Sequence, residues 1–130
     1  MDIRNTTTML ESREVRLRNF PTGRMSEDDF EIATVPVFTP REGEVLVRNL
    51  WLSIEASMRV MMFESDIDDI KKTVPGFRPG KPVHSFAVGR IVHSRHPGLP
   101  VGSYVTGVFD WQELFISNGK GMRKIGRAHV

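Results

Sequence analysis

The sequence predicts a mainly β fold, a small barrel or sandwich with little helix. Three observations carry this: short runs that alternate apolar and polar residues, Gly/Pro punctuation between them, and one good helical candidate. Residues 1–12 are polar, hold Asn-Thr-Thr-Thr without periodicity, and read as a flexible lead-in. Alternation starts over 14–19, where Arg16 and Arg18 flank Leu17, and breaks at Pro21-Thr22-Gly23. A second strand is expected over 30–35, ending at Pro36, and a turn over 40–43. The longest β-rich run, 44–54, leads into the Met-rich segment 56–63, the helix candidate, which lacks Gly and Pro. Residues 64–81 read as a long connection. Strands over 83–93, 104–108 and 112–117 close the series, with a tight Gly/Pro turn at 97–102. No internal repeat is visible.

The chain has 130 residues, enough for one domain with a real core. Its 18 basic residues nearly cancel 16 acidic ones, and the basic cluster Arg13, Arg16, Arg18 alternates with Val15 and Leu17 as the wet face of a strand. No run interleaves clustered Lys/Arg with aromatics, so nucleic acid is not an expected partner. There are no cysteines, which excludes disulfides, thiolate metal sites and a cysteine nucleophile. The first 14 residues lack an apolar signal region, and no apolar run approaches the roughly 20 residues of a membrane span. The expectation is a soluble cytoplasmic protein with no membrane partner.

Several motifs have plainer readings. His84, His93 and His96 lack the partners of a tetrahedral metal set, and read as solvated or structural histidines. Asp66, Asp68 and Asp69 lack the glycine and terminal glutamate of a calcium loop. Gly119-Lys120-Gly121 lacks the spacing of a phosphate loop, and reads as a glycine-rich strand exit. No serine sits in a nucleophile elbow. The segment 51–62 is the most informative. Its methionines, Met58, Met61 and Met62, suit a gap-filling core. Arg59, at a strand-to-helix exit, can present a fork to an anionic group.

From these residues a resemblance emerges. The order Arg18-Asn19-Phe20-Pro21-Thr22-Gly23, Asp29-Phe30, then Gly43 through Ser53 resembles zinc-free medium-chain reductases of the prostaglandin reductase / leukotriene B4 12-hydroxydehydrogenase / curcumin reductase type. The match continues through Met58-Arg59, Gly80, Gly89, Ser94, Gly102, Val105, Gly107 and Trp111-Gln112-Glu113, covering roughly residues 13–117. The resemblance implies a GroES-like, partly open β-barrel with one or two short helices, followed by a Rossmann domain. It implies NADP bound between the two domains, mainly by the second. It implies hydride transfer to the C=C bond of an α,β-unsaturated ketone or aldehyde, without zinc. The small-molecule enone would be the partner, and a homodimer is expected of the full-length protein. It places Ser53, Ser57, Met58 and Arg59 along the interdomain cleft, with Trp111 either at the cleft or in the barrel core. The family's usual Leu-Ser-x-Asp-Pro-Tyr-Met-Arg stands here as Leu52-Ser53-Ile54-Glu55-Ala56-Ser57-Met58-Arg59, so Ser57 replaces a tyrosine that borders the substrate. Ser103 and Leu114 depart from the pattern as well.

The domain is expected over 13–120, with 121–130 a truncated end. A Rossmann half needs about 100 further residues or more. Residues 125–130 resemble an in-frame translation of a sequencing adapter, so His129 is expected to carry no function. Two functions compete: a fragment of an NADP-dependent enone reductase, inactive alone, or a stand-alone small-barrel binding or co-chaperonin-like module. A zinc alcohol dehydrogenase fragment falls on the missing cysteines.

Overall fold

The computed structural model describes residues 10–62 and 76–125. The acidic stretch at Asp66–Asp69, most of the 64–81 connection and the last five residues lie outside them. Within them run seven strands and one α-helix: β1 (Leu10–Leu17), β2 (Phe30–Val37), β3 (Val45–Leu52), α1 (Ala56–Met61), β4 (His84–Ser94), β5 (Tyr104–Asp110), β6 (Leu114–Ser117) and β7 (Arg123–Lys124). The architecture is mainly β, as the sequence predicts. The strands form a two-stranded sheet, β1-β2, and a five-stranded antiparallel sheet ordered β6-β3-β4-β5-β7.

β1 begins at Leu10, inside the stretch expected to be a flexible lead-in, because Ser12 is a fully buried joint to the other sheet. The β1–β2 connection is shut by Asp29. Its carboxylate accepts from the Ser26 N–H at 2.8 Å and from Asn19 Nδ2 at 2.7 Å, while the Ser26 hydroxyl accepts from the Asp28 N–H at 3.2 Å. These bonds cap a single 3₁₀ turn, Glu27–Asp29, that starts β2. β2 runs through Pro36 to Val37 rather than stopping at residue 35. Its pairing is with β1 alone, so Pro36 can turn its missing donor to the open edge.

β1 also bonds along its other edge. The Val15 N–H donates to Trp111 O at 2.9 Å, the Val83 N–H to Val15 O at 3.0 Å, and the Gly80 N–H to Leu17 O at 2.7 Å. The two sheets therefore curl around shared apolar clusters as an open barrel, without a closed ring of ladders. One cluster lies between β3, β4 and β5 (Val45, Val47, Ala87, Ile91, Val105, Phe109). A second gathers Leu17, Met58, Met61, Met62, Phe77 and Val83 under α1.

Two local devices aim the strands. β3 carries bulges between Leu46 and Val47 and between Asn49 and Trp51, so Trp51 pairs with Val88 and turns outward. Opposite Asn49 stands Gly89, where an added Cβ would lie 2.6 Å from Val47 Cγ1. α1 has six residues and no side-chain N-cap bond. Too short to persist by itself, it is held by burying Met58 and Met61.

Candidate active site

The candidate site is a cavity of about 280 Å³ between α1 and the β4–β5 hairpin. α1 supplies Ser57, Met58 and Met61, and Glu55 lies just before the helix. The strands supply His84, Ser85, Phe86 and Val108. Phe86 and Val108 are register partners on the outward face of the sheet, and His84 faces Asp110 in the next pair. The cavity opens onto an exposed apolar ledge: Phe86 is 59% exposed and Val108 57%, and Trp51, which shares the neighbouring depression with Phe86, is 73% exposed. A patch of large apolar side chains left in water on one sheet face marks a surface that another body covers.

Ser57 and Met58 meet in this cavity, Ser57 exposed and Met58 buried in the cluster beneath. Arg59 is exposed on the same helix. Ser53 is set apart. Its N–H donates to Phe86 O at 2.8 Å, and it borders a shallower depression shared with Trp51, Leu52 and Val88, with Phe86 as the common wall. Trp111 does not line the cavity itself but stands behind its wall. Its ring packs against the Leu17–Met58 cluster, and its Nε1 donates at 2.9 Å to the hydroxyl of Ser85, a residue of the cavity wall. Ser85 is buried and also donates to Phe86 O at 3.1 Å, so its hydroxyl is already engaged within the wall.

Sequence reasoning missed Phe86, Val108 and the cavity-lining position of His84. The signal was present in β4, which is apolar on both faces, with Ala87 and Ile91 inward and Phe86 and Val92 outward. A strand of this kind covers something on each side.

The three histidines do not come together. His84 packs edge-on against Phe77 at 4.8 Å, His93 is exposed on β4, and His96 accepts from the Gly98 N–H at 3.0 Å in its turn. Among the described residues, no three His, Cys, Asp or Glu side chains group as a metal site. Asp110, opposite His84, has its pKa raised by partial withdrawal from water, against the pull of the imidazole and with a push from Glu14. At the joint of the two sheets, Arg13 grips Glu113 through Nε at 3.1 Å, Nη2 at 2.8 Å and its backbone N–H at 2.9 Å. These bonds hold the Glu113 carboxyl down at about 2. The Gly119–Gly121 segment is a turn closed by the Met122 N–H on Gly119 O, ahead of β7.

Residues 13–125 match the family model described as the N-terminal domain of oxidoreductase. The chain belongs to that family. The domain is 32% identical over 114 residues to the NADPH-dependent curcumin reductase of Escherichia coli, covering 85% of this chain and 30% of the relative. It is 32% identical over 108 residues to the 2-alkenal reductase (NADP(+)-dependent) of Nicotiana tabacum, covering 81% of this chain and 30% of the relative. Its fold superposes on the crystal structure of CurA in complex with NADPH from Vibrio vulnificus with a TM-score of 0.75 and 29% identity, covering 88% of this chain and 33% of that one. The oxidoreductase domain thus spans about a third of the length of these relatives. No helix among its described residues is long and apolar enough to cross a membrane.

Proposed function

We propose that this domain is the substrate-side part of an NADP-dependent reductase that saturates the C=C bond of α,β-unsaturated ketones or aldehydes. The observation that carries the reading is the α1 cavity: an apolar pocket open to an uncovered apolar ledge, in a domain whose relatives are NADPH-dependent curcumin and 2-alkenal reductases. The residues present suit one side of a nicotinamide cleft. Arg59, exposed on α1, is read as bordering the cleft, and the ledge offers an apolar surface that keeps water from the reacting carbons. When bound, NADPH supplies the hydride. The protein's own work is then positional: Met58 and Met61 shape the floor, Ser57 and Phe86 flank the substrate, and Trp111 fixes the wall through Ser85. Ser53 borders the cleft across Phe86. In this reading most of the cofactor's binding surface belongs to the part of the relatives' length that residues 13–125 do not match, and those residues by themselves do not turn over. The full-length protein is read as cytoplasmic and homodimeric.

The test is to read the coding sequence beyond position 130, express the continued frame, and follow nicotinamide absorbance with an enone. Oxidation of NADPH that chelators leave untouched is the expected result. Zinc-dependent alcohol oxidation, or no turnover with any enone or enal, overturns the reading.

A further inference from the structure

Saturating a C=C bond takes a hydride and a proton, and the reductase reading assigns the proton to no residue. Two titratable side chains line the α1 cavity, Glu55 and His84. Of the two, the imidazole is the type that gives and regains a proton near neutral pH. Its ring is half-buried and packs edge-on against the buried Phe77, with centroids 4.8 Å apart. Across the strands His84 pairs with Asp110. The Trp111 N–H donates to Val83 O at 2.8 Å and the Ile91 N–H to Ser103 O at 2.9 Å, so the odd positions carry the ladder bonds of this hairpin. His84 and Asp110 are therefore a close, non-bonded antiparallel pair, with Cα atoms about 4.5 Å apart and side chains adjoining. Withdrawal from water raises the Asp110 carboxyl, the imidazole pulls it down, and Glu14 on β1 pushes it up. Glu14 is itself engaged, accepting from Arg16 Nε at 2.6 Å and Gln112 Nε2 at 2.8 Å. The carboxylates set beside the ring are thus Asp110 across the strands and Glu55 ahead of α1.

We propose that His84 is the proton donor of the reduction and that Asp110 positions its ring. The role rests on the reductase reading. Once a hydride has reached the β-carbon, the C=C electron pair is spread over the α-carbon and the carbonyl oxygen as an enolate. The N–H bond of the imidazolium then breaks and its proton forms the new C–H bond at the α-carbon. The neutral ring regains a proton from water at its exposed side.

The experiment gives the full-length protein an α-methyl enone, whose product has a stereocentre at the protonated carbon. The native protein should yield one enantiomer. His84→Phe keeps a ring against Phe77 and removes the proton. It should lower kcat about 100-fold, leave the NADPH dissociation constant within about twofold, and give racemic product, because water then delivers the proton. His84→Gln should do the same, and decides the matter if the Phe variant does not fold. Asp110→Asn should lower kcat about tenfold at unchanged KM and keep the product's configuration. A second readout needs no turnover. On the 130-residue chain, dimedone, an enolate at neutral pH, is compared with isophorone, a neutral ketone of the same ring size, by shifts of the His84 ring resonances. His84→Phe should weaken dimedone about tenfold, as loss of a charge-assisted hydrogen bond does, and leave isophorone within about twofold. Native kcat in both His84 variants overturns the proposal, as does a fall in kcat with the product still one enantiomer, or dimedone binding indifferent to His84→Phe. In each of those cases turnover by the native protein leaves the reductase reading standing. If the native protein turns over no enone, the reductase reading falls and takes the donor role with it.

Discussion

Ser12→Ala should loosen the joint between the two sheets out of proportion to one oxygen atom. Ser12 is fully buried, and its hydroxyl donates to Leu114 O at 2.8 Å and accepts from the Leu114 N–H at 3.0 Å. Leu114 pairs with Arg48 of β3, and the flanking bond runs from the Asn49 N–H to Glu113 O, so both peptide groups of Leu114 point away from β3, toward Ser12. Alanine therefore strands a donor and an acceptor together in a buried seam. Each orphaned group costs about 1–3 kcal/mol, and the lost hydroxyl needs no partner of its own, which gives about 2–4 kcal/mol in total. For a domain with about 5–15 kcal/mol of stability this is a large share. With a urea slope of about 1–3 kcal/mol/M, the midpoint should fall by about 1–4 M at unchanged slope. Amide exchange supplies the local readout: Leu114 should lose protection before the rest of β3 and β6. A loss below about 0.5 kcal/mol with Leu114 protection intact would show that the hydroxyl is no joint, and would refute the reasoning.

Gly89→Ala places a Cβ 2.6 Å from Val47 Cγ1 and 3.1 Å from Arg48 O. It should destabilise the domain by about 1–3 kcal/mol, as overpacking does. Adding Val47→Ala should recover part of that loss in a double-mutant cycle, and strict additivity of the two changes contradicts the contact. The Glu113 carboxyl, held at about 2 against an ordinary 4.5, contributes stability that is present above the ordinary value and lost as pH falls from there toward 2. Urea midpoints of the native chain and Glu113→Gln should therefore converge as pH drops through that window. Parallel pH profiles would mean that the Arg13 grip does not persist in solution.

Much of the fold was legible because a half-buried strand writes its period into the chain. The alternation at 14–19, the run at 44–54 and the Gly/Pro turn at 97–102 place β1, β3 and the β4–β5 connection close to where they lie. Boundaries shifted where tertiary contacts outweighed local signals. Leu10 to Ser12 joins β1 because of the Leu114 seam, Pro36 stays in a strand because it stands at an edge, and Arg123–Lys124 pairs with β5 although nothing in those two residues announces a strand. The helix was visible in its Met-rich composition. Its support from Leu17 and Phe77, far away in sequence, was not.

For the site, the sequence alone determined which residue types stand at 53–59, including serine at 57, and that no thiolate is available for zinc. Local order is enough for that, since one strand running into one helix keeps those residues together. Only the tertiary structure decided what they face. Phe86 and Val108 line one cavity with Ser57 because antiparallel pairing of β4 with β5 puts them on one face, and the bulges in β3 separately turn Trp51 toward that face. A bulge is one residue out of register, and its consequence is felt across three strands. Pairing across the sheet, rather than periodicity along the chain, makes the cavity.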